Sequence, residues 1–295
     1  MTGVTRLRVC LLLIALAVMP ALAAGDVEIN YDPDGLALND VCGLTVDNDA
    51  VFWAVGDGGQ VYKIVGHVGD YIEIETSFTL GNGDYDFHGV SFADANNGWI
   101  VGYRRYDPND PGSWRRGVVF RTTTGGGNAN QWDPDWPEVQ SGINVPFLKV
   151  QAVNNNTVWL TCGDGYVLWS GNGGSAWSVR TKPGGAGDYS YLWGLCAFDA
   201  LRAWVASDES LMIAKTTNGG ATWSAYRPFP DDSLSYRGIG PGDSYQPDFS
   251  HVALTASRGR IVSTTDGGSN WAEETPLNDT CQWWRGVSHG VIPGT

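Results

Sequence analysis

The chain has 295 residues, and 18 lysines and arginines against 32 aspartates and glutamates leave it a formal charge of −14. A surface of that sign makes nucleic acid and anionic membranes poor partners. Forty glycines and 14 tryptophans beside only 17% charged residues argue against long helices and for a loop-rich all-β protein.

The chain opens with Arg6 and Arg8, an apolar run VCLLLIALAV from Val9 to Val18, and Ala21-Leu22-Ala23 as a small-x-small cleavage site. This pattern predicts a signal peptide over residues 1–23 and a single mature domain over 24–295, secreted or periplasmic. The apolar run is too short to span a bilayer, so no membrane insertion is expected after cleavage. Loss of Arg6 and Arg8 leaves 16 basic against 32 acidic residues, a mature charge of −16. DPDGLALND then places Asp32, Asp34 and Asp40 around a glycine turn. Calcium is a candidate there, but the spacing is not that of an EF-hand loop and its final Glu is missing, so a solvated acidic turn is expected and no metal. GNGDYD at Gly81 reads the same way, and no cofactor motif appears.

From residue 38 onward the sequence repeats. A short apolar strand recurs as FWAVG at Phe52, GWIVG at Gly98, VWLTC at Val158, AWVAS at Ala203 and, more weakly, VALTA at Val252. A second strand follows each: GQVYKI, GVVFRT, GYVLWS, SLMIAK and GRIVST. A third marker opens the units: VCGL at Val41, FHGV at Phe87, LWGL at Leu192, YRGI at Tyr236 and WRGV at Trp284. Gly-rich loops close them on a tryptophan, at Trp132, Trp177, Trp223 and Trp271, spaced by 45, 46 and 48 residues. Such a period is one propeller blade. The prediction is an all-β propeller of four-stranded blades, five of them recognisable from near residues 38, 85, 147, 191 and 236, with the first strand of a sixth at Cys281–Thr295.

Beyond the leader's Cys10, four cysteines remain: Cys42, Cys162, Cys196 and Cys281. In an oxidising compartment they allow two disulfides in three pairings, or four buried thiols. A bond between Cys42 and Cys281 would suit a closed ring.

The loops fit the pattern S/T-x-D-x-G-x-T-W. Thr264, Asp266, Gly268 and Trp271 fill it except at Asn270; Thr216, Asn218, Gly220, Thr222 and Trp223 fill it with Asn for Asp; Ser170, Asn172, Gly174 and Trp177 do so with Ala176 for Thr. The second blade carries Thr124 at the Asp position and an insertion before Trp132, and the first blade, KIVGHVGDY, has lost the loop. An Asp or Asn there accepts bonds from N–H groups of its own turn and glycine supplies the positive φ, so the loop stabilises a hairpin and performs no chemistry.

These residues resemble the Asp-box, or BNR, repeat. The full unit, VSFADANNGWIVG at Val90 to Gly102 followed later by TTDGGSNW, is most similar to the photosystem II stability and assembly factor family. That resemblance implies a lumenal or periplasmic propeller that binds a protein client and has no catalytic activity.

Connections between blades and hairpins between second and third strands open on one propeller face, and the Gly-rich loops on the other. Cys42, His88, Trp193, Arg237 and Arg285 precede the blade-opening glycines on the first face, and the insertion YRRYDPNDPGSWRR at Tyr103 to Arg116 projects there too. Arg104, Arg105, Arg115, Arg116, Arg237 and Arg285, with His88, are therefore expected to gather on one rim and to bind a protein client or acidic peptide through bidentate contacts, with Trp114 and Trp193 as apolar anchors. The plainer reading pairs the insertion arginines with Asp107 and Asp110. A sialidase-like glycoside hydrolase, or a carbohydrate-binding propeller, is the alternative, but no Arg-Ile-Pro signature occurs and Glu is sparse in the middle of the chain. The histidines, His67, His88, His251 and His289, are too scattered for a metal site, and His251 is expected in the interior.

Overall fold

The computed structural model describes residues 37–47, 49–66, 72–109, 115–135, 143–186, 190–208, 212–227, 235–241, 248–256 and 260–274. Blade one consists of Leu38–Val46 (β1), Asp49–Gly56 (β2), Gln60–Gly66 (β3) and Ile72–Thr79 (β4). Blade two has Tyr85–Phe92 (β5), Gly98–Arg104 (β6), Gly117–Thr122 (β7) and Asp133–Asp135 (β8). Blade three has Phe147–Ala152 (β9), Val158–Cys162 (β10), Val167–Ser170 (β11) and Ser178–Val179 (β12), and blade four Gly194–Ala197 (β13), Ala203–Ala206 (β14), Ile213–Thr216 (β15) and Ser224–Tyr226 (β16). Blade five closes the series with Tyr236–Pro241 (β17), Val252–Ala256 (β18), Arg260–Thr264 (β19) and Ala272–Glu274 (β20).

Every blade is a separate four-stranded antiparallel sheet whose spatial order follows the sequence. The five stand in a ring as a β-propeller, and their first strands together line one central cavity. The second strands are covered by neighbouring blades on both faces. Val158–Cys162 and Ala203–Ala206 are accordingly buried at every position rather than at alternate ones, as expected of a strand with no solvent side.

Apolar packing runs from blade to blade. One cluster joins Trp53, Val55 and Phe92 across blades one and two, another Trp99, Val150 and Leu160 across two and three, and a third Trp204, Ile239 and Leu254 across four and five. The tryptophan of the second strand does the same with its indole N–H. Trp99 donates to Gly173 O at 3.0 Å, Trp159 to Asp199 O at 2.9 Å and Trp204 to Phe249 O at 3.0 Å, each in the following blade.

The Gly-rich loops form as their residues require. Thr264 Oγ1 accepts from Gly268 N at 2.9 Å and Asp266 Oδ1 from Asn270 N at 2.8 Å. Thr216 and Asn218, and Ser170 and Asn172, repeat both bonds. Gly173, Gly219 and Gly267 all sit at φ +70, where an L side chain is strained. Beside each of these loops, the first two strands of blades two to four are joined by a second repeated turn: Asp94, Asn154 and Asp199 each accept from the N–H groups two and three residues on, the Asx geometry that suits such a tight corner.

The disulfide expectation fails for the described cysteines. Cys42, Cys162 and Cys196 are free thiols, buried in three different blades, where each packs as a small apolar residue. Cys281, and with it the expected sixth opening strand, lies outside the described residues, as do Asp32, Asp34, Arg285, Asp110, Trp114, His67, His289 and the leader. His251 is half-exposed, its Nδ1 3.4 Å from Asp248 Oδ2, not interior. No helix among the described residues is long and apolar enough to cross a membrane.

Candidate functional site at the channel mouth

The first strand of a blade carries a β-bulge where it reaches the hairpin face. The registers shift at Leu38/Asp40, Phe87/Gly89 and Tyr236/Gly238, and opposite Thr161/Cys162 in blade three. A bulge re-aims one side chain, and the residues so placed are Asn39, His88, Leu148 and Arg237, with Trp193 at the matching position just before β13. The structure therefore brings His88, Trp193 and Arg237 together as expected. It corrects blade one: the residue matching His88 is Asn39, three positions before Cys42, and Cys42 is buried against Phe92 N at 3.4 Å.

Around the mouth the aromatic rings form a continuous series. Tyr103 stacks on His88 with centroids 5.0 Å apart, His88 meets Trp193 edge-on at 5.5 Å, and Trp193 stacks on Tyr191 at 6.3 Å. The Arg237 guanidinium lies 5.4 Å from the Trp193 ring centre, within cation–π reach. Asp208 orders this end of the series: its Oδ2 accepts from Trp193 Nε1 at 2.8 Å and stands 3.6 Å from Arg237 Nη2. Burial and the nearby Asp86 carboxylate raise the Tyr103 hydroxyl pKa above its ordinary value, with Arg115 acting the other way.

The arginines divide into two groups. Arg104 is paired with Asp107 at 3.2 Å, as the plainer reading has it, whereas Arg105 pairs with Asp86 of β5 at 3.4 Å, a partner outside the insertion. Arg115 does something else. It adopts φ 62, uncommon for a residue with a Cβ, and its Nη1 donates to Tyr191 OH at 2.8 Å, so a blade-two hairpin reaches over blade three to blade four. Arg116 is exposed beside it.

Below the mouth lies a cavity of about 80 Å³, roomy enough for several waters. Asp40 and Lys149 form a 2.7 Å ion pair in its wall, and Asp40 Oδ2 also accepts from Val90 N. The matching positions in the other blades are Gly89, Gly194 and Gly238. Among the described residues no three His, Cys, Asp or Glu side chains are placed to hold a metal ion.

No family model matches the chain, and no curated protein matches it in sequence. Solved structures do match. YCF48 from Cyanidioschyzon merolae is similar over 83% of this chain and 87% of its own, at 16% identity and a TM-score of 0.50. A streptogramin B lyase covers 88% of this chain and 74% of its own, at 13% identity and a TM-score of 0.58. A structure of YCF48 bound to D1 peptide covers 87% and 86% at 17% identity, with a TM-score of 0.49. The chain shares its fold with the first two of these structures. At such identities the likeness extends to the fold alone.

Tyr103, Tyr191 and Asp208 are the mouth residues that the repeats did not disclose, since none recurs from blade to blade. Tyr191 was closest to view, two residues before Trp193 in SYLWGL.

Proposed function

We propose that this protein is a non-catalytic binding scaffold, exported by its leader, that holds an acidic segment of a protein client at the channel mouth. The observation that carries this reading is the series Tyr103, His88, Trp193 and Tyr191, flanked by Arg237 and Arg115 on a strongly acidic protein. Aromatic rings and guanidinium groups held in place by their neighbours are the residues that anchor protein interfaces, because they present large contact areas at little entropic cost. The similarity of the repeat unit to photosystem II stability and assembly factors supports the same class of function, and its Asp-box loops serve there as structural hairpins.

Fluorescence anisotropy with labelled 12-residue peptides, one acidic and one with its carboxylates replaced by amides, tests the reading. The acidic peptide should bind the more tightly, with a salt-sensitive affinity, and Trp193→Ala and Arg116→Glu should each weaken it about tenfold, the range of an interface anchor. Equal binding of the two peptides, or affinities indifferent to both substitutions, would sink it.

A further inference from the structure

In the first three blades the first-strand residue opposite the second-strand tryptophan reaches the next first strand around the channel. Cys42 Sγ accepts from Phe92 N at 3.4 Å, Ser91 Oγ from Ala152 N at 3.0 Å and Gln151 Oε1 from Ala197 N at 2.7 Å. In blade four the same residue is Cys196, and the next strand holds Pro241 where the donor would stand. Proline has no N–H to give. The channel wall thus changes character around the ring: hydrogen-bonded from blade one to blade four, and apolar where Leu195, Cys196, Ile239 and Pro241 line the cavity.

The polar side of that cavity has donors to spare. Asp40 gives each of its oxygens to a protein donor, Oδ1 to Lys149 Nζ at 2.7 Å and Oδ2 to Val90 N at 3.0 Å. Lys149 has three N–H groups to place, and among the described residues Asp40 is its sole partner. Its side chain is 14% exposed and lines the cavity, so two N–H groups are left for an occupant. Gln151 adds another: its Nε2 gives one hydrogen to Ala197 O at 3.0 Å and spends no second one among the described residues.

Charge follows the same bias. Asp40, Lys149 and Arg237 are the charged residues of the wall, two cations to one anion, and Asp208, 3.6 Å from Arg237, is not among the lining residues. A guest with acceptor oxygens and one negative charge meets both demands, because buried donors cost free energy until they find an acceptor. A short hydrocarbon stem on that guest would cover the apolar side, and at about 80 Å³ the cavity admits only a small group.

We propose that the channel cavity is a binding pocket for one carboxylate on a short aliphatic stem, its oxygens taken by Lys149 and Gln151 and its stem by Leu195 and Ile239. A free short-chain acid and a glutamate side chain present the same chemistry. The proposal does not rest on the client-binding reading, since these four residues stand outside the series at the mouth.

The test titrates propionate and propionamide, which differ only at the charged end, into the full chain with its Leu and Ile methyl groups 13C-labelled. Leu195 and Ile239 methyl signals should shift with propionate and show nuclear Overhauser contacts to its methyl group. Propionamide should bind about tenfold more weakly, since it forgoes the charge-assisted bond. The double variant Asp40→Leu, Lys149→Met should bind the two alike. Equal affinities in the unaltered chain, or shifts confined to methyl groups outside the cavity, would overturn the proposal, and that comparison decides even where the double variant fails to fold. The acidic 12-residue peptide then separates the two sources. Displacement of propionate assigns the pocket to a client side chain and simultaneous binding assigns it to a free acid, and either upholds it.

Discussion

Lys149 Nζ and Asp40 Oδ1 meet at 2.7 Å although 109 residues and a whole blade separate them. Gly89, the matching residue of the intervening blade, makes the contact possible. A Cβ there would lie 3.0 Å from the Lys149 Cα and 2.9 Å from a Val101 methyl. Both side chains are about 15% exposed, so each depends on the other for most of its compensation. Lys149→Met leaves Asp40 with only the Val90 N–H and should cost about 3 kcal/mol. The double variant with Asp40→Leu should recover most of that loss in urea titrations.

The indole N–H of Trp99 is a smaller and separable contribution. Trp99→Phe keeps the ring and loses the bond to Gly173 O, at a cost of about 1 kcal/mol. Trp99→Ala also opens a cavity between blades two and three and should cost about 4 kcal/mol. Denaturant midpoints for the pair distinguish the bond from the packing.

Glycine in the loops can be tested against a control. At Gly173, φ is +70 and an added Cβ would come within 2.6 Å of Asn155 O, whereas Gly185, at φ +91, has nothing within 4 Å. Gly185→Ala should cost about 1 kcal/mol for the backbone alone, and Gly173→Ala distinctly more, because strain and clash add. Similar melting temperatures for the two variants would contradict this account.

Asp266 offers a test by pH. The Asn270 backbone N–H and then its side-chain amide hold the Asp266 carboxyl down to about 2. A folded pKa below the ordinary value of about 4 gives stability that is present above that value and lost as pH falls toward the folded one. The acid loss of melting temperature between about pH 4 and pH 2 should therefore shrink in Asp266→Asn. At pH 7 that variant should melt close to the parent, since Asn172 and Asn218 already serve in the neighbouring loops.

The buried thiols differ sharply in reactivity between the folded and the unfolded chain. Burial pushes the Cys42 thiol up to about 12 and raises Cys162 and Cys196 well above the ordinary thiol value, so almost no thiolate is available to an alkylating reagent. In the folded protein these three should resist iodoacetamide at pH 8, and in urea they should react fully. Peptide mass mapping reads each site separately.

How much of this was legible in the sequence depended on repetition. Blades expected from residues 38, 85, 147 and 236 begin at those residues, because period, turn chemistry and buried tryptophans all agree there. The fourth starts at Gly194 rather than near 191. Blade one was read three residues out of step at the mouth. Its channel position holds Asp40 instead of glycine, so Gly43, which packs against Phe52, was taken for the marker. At the rim, His88, Trp193 and Arg237 were legible through their place in the repeat. Arg104 and Arg105 were harder, since their pairing with Asp107 and Asp86 is set by a hairpin and a neighbouring strand that share no pattern. Tyr103, Tyr191 and Asp208 gave no signal, because a contact among single, unrepeated residues of separate blades leaves no periodic trace.

Most bonds between blades run only from one blade to the next, so a defect at one joint is felt mainly by its two neighbours. Arg115 on Tyr191 breaks that rule, as it crosses blade three to tie blade two to blade four. It acts as a cross-brace on the outside of the ring, fastened at its near end by a backbone at φ 62 and at its far end by one phenol. The phenol ring also lies against Gly163 of blade three, and Tyr191 leads directly into β13, so one arginine fixes the entry of blade four against the rims of both blades before it.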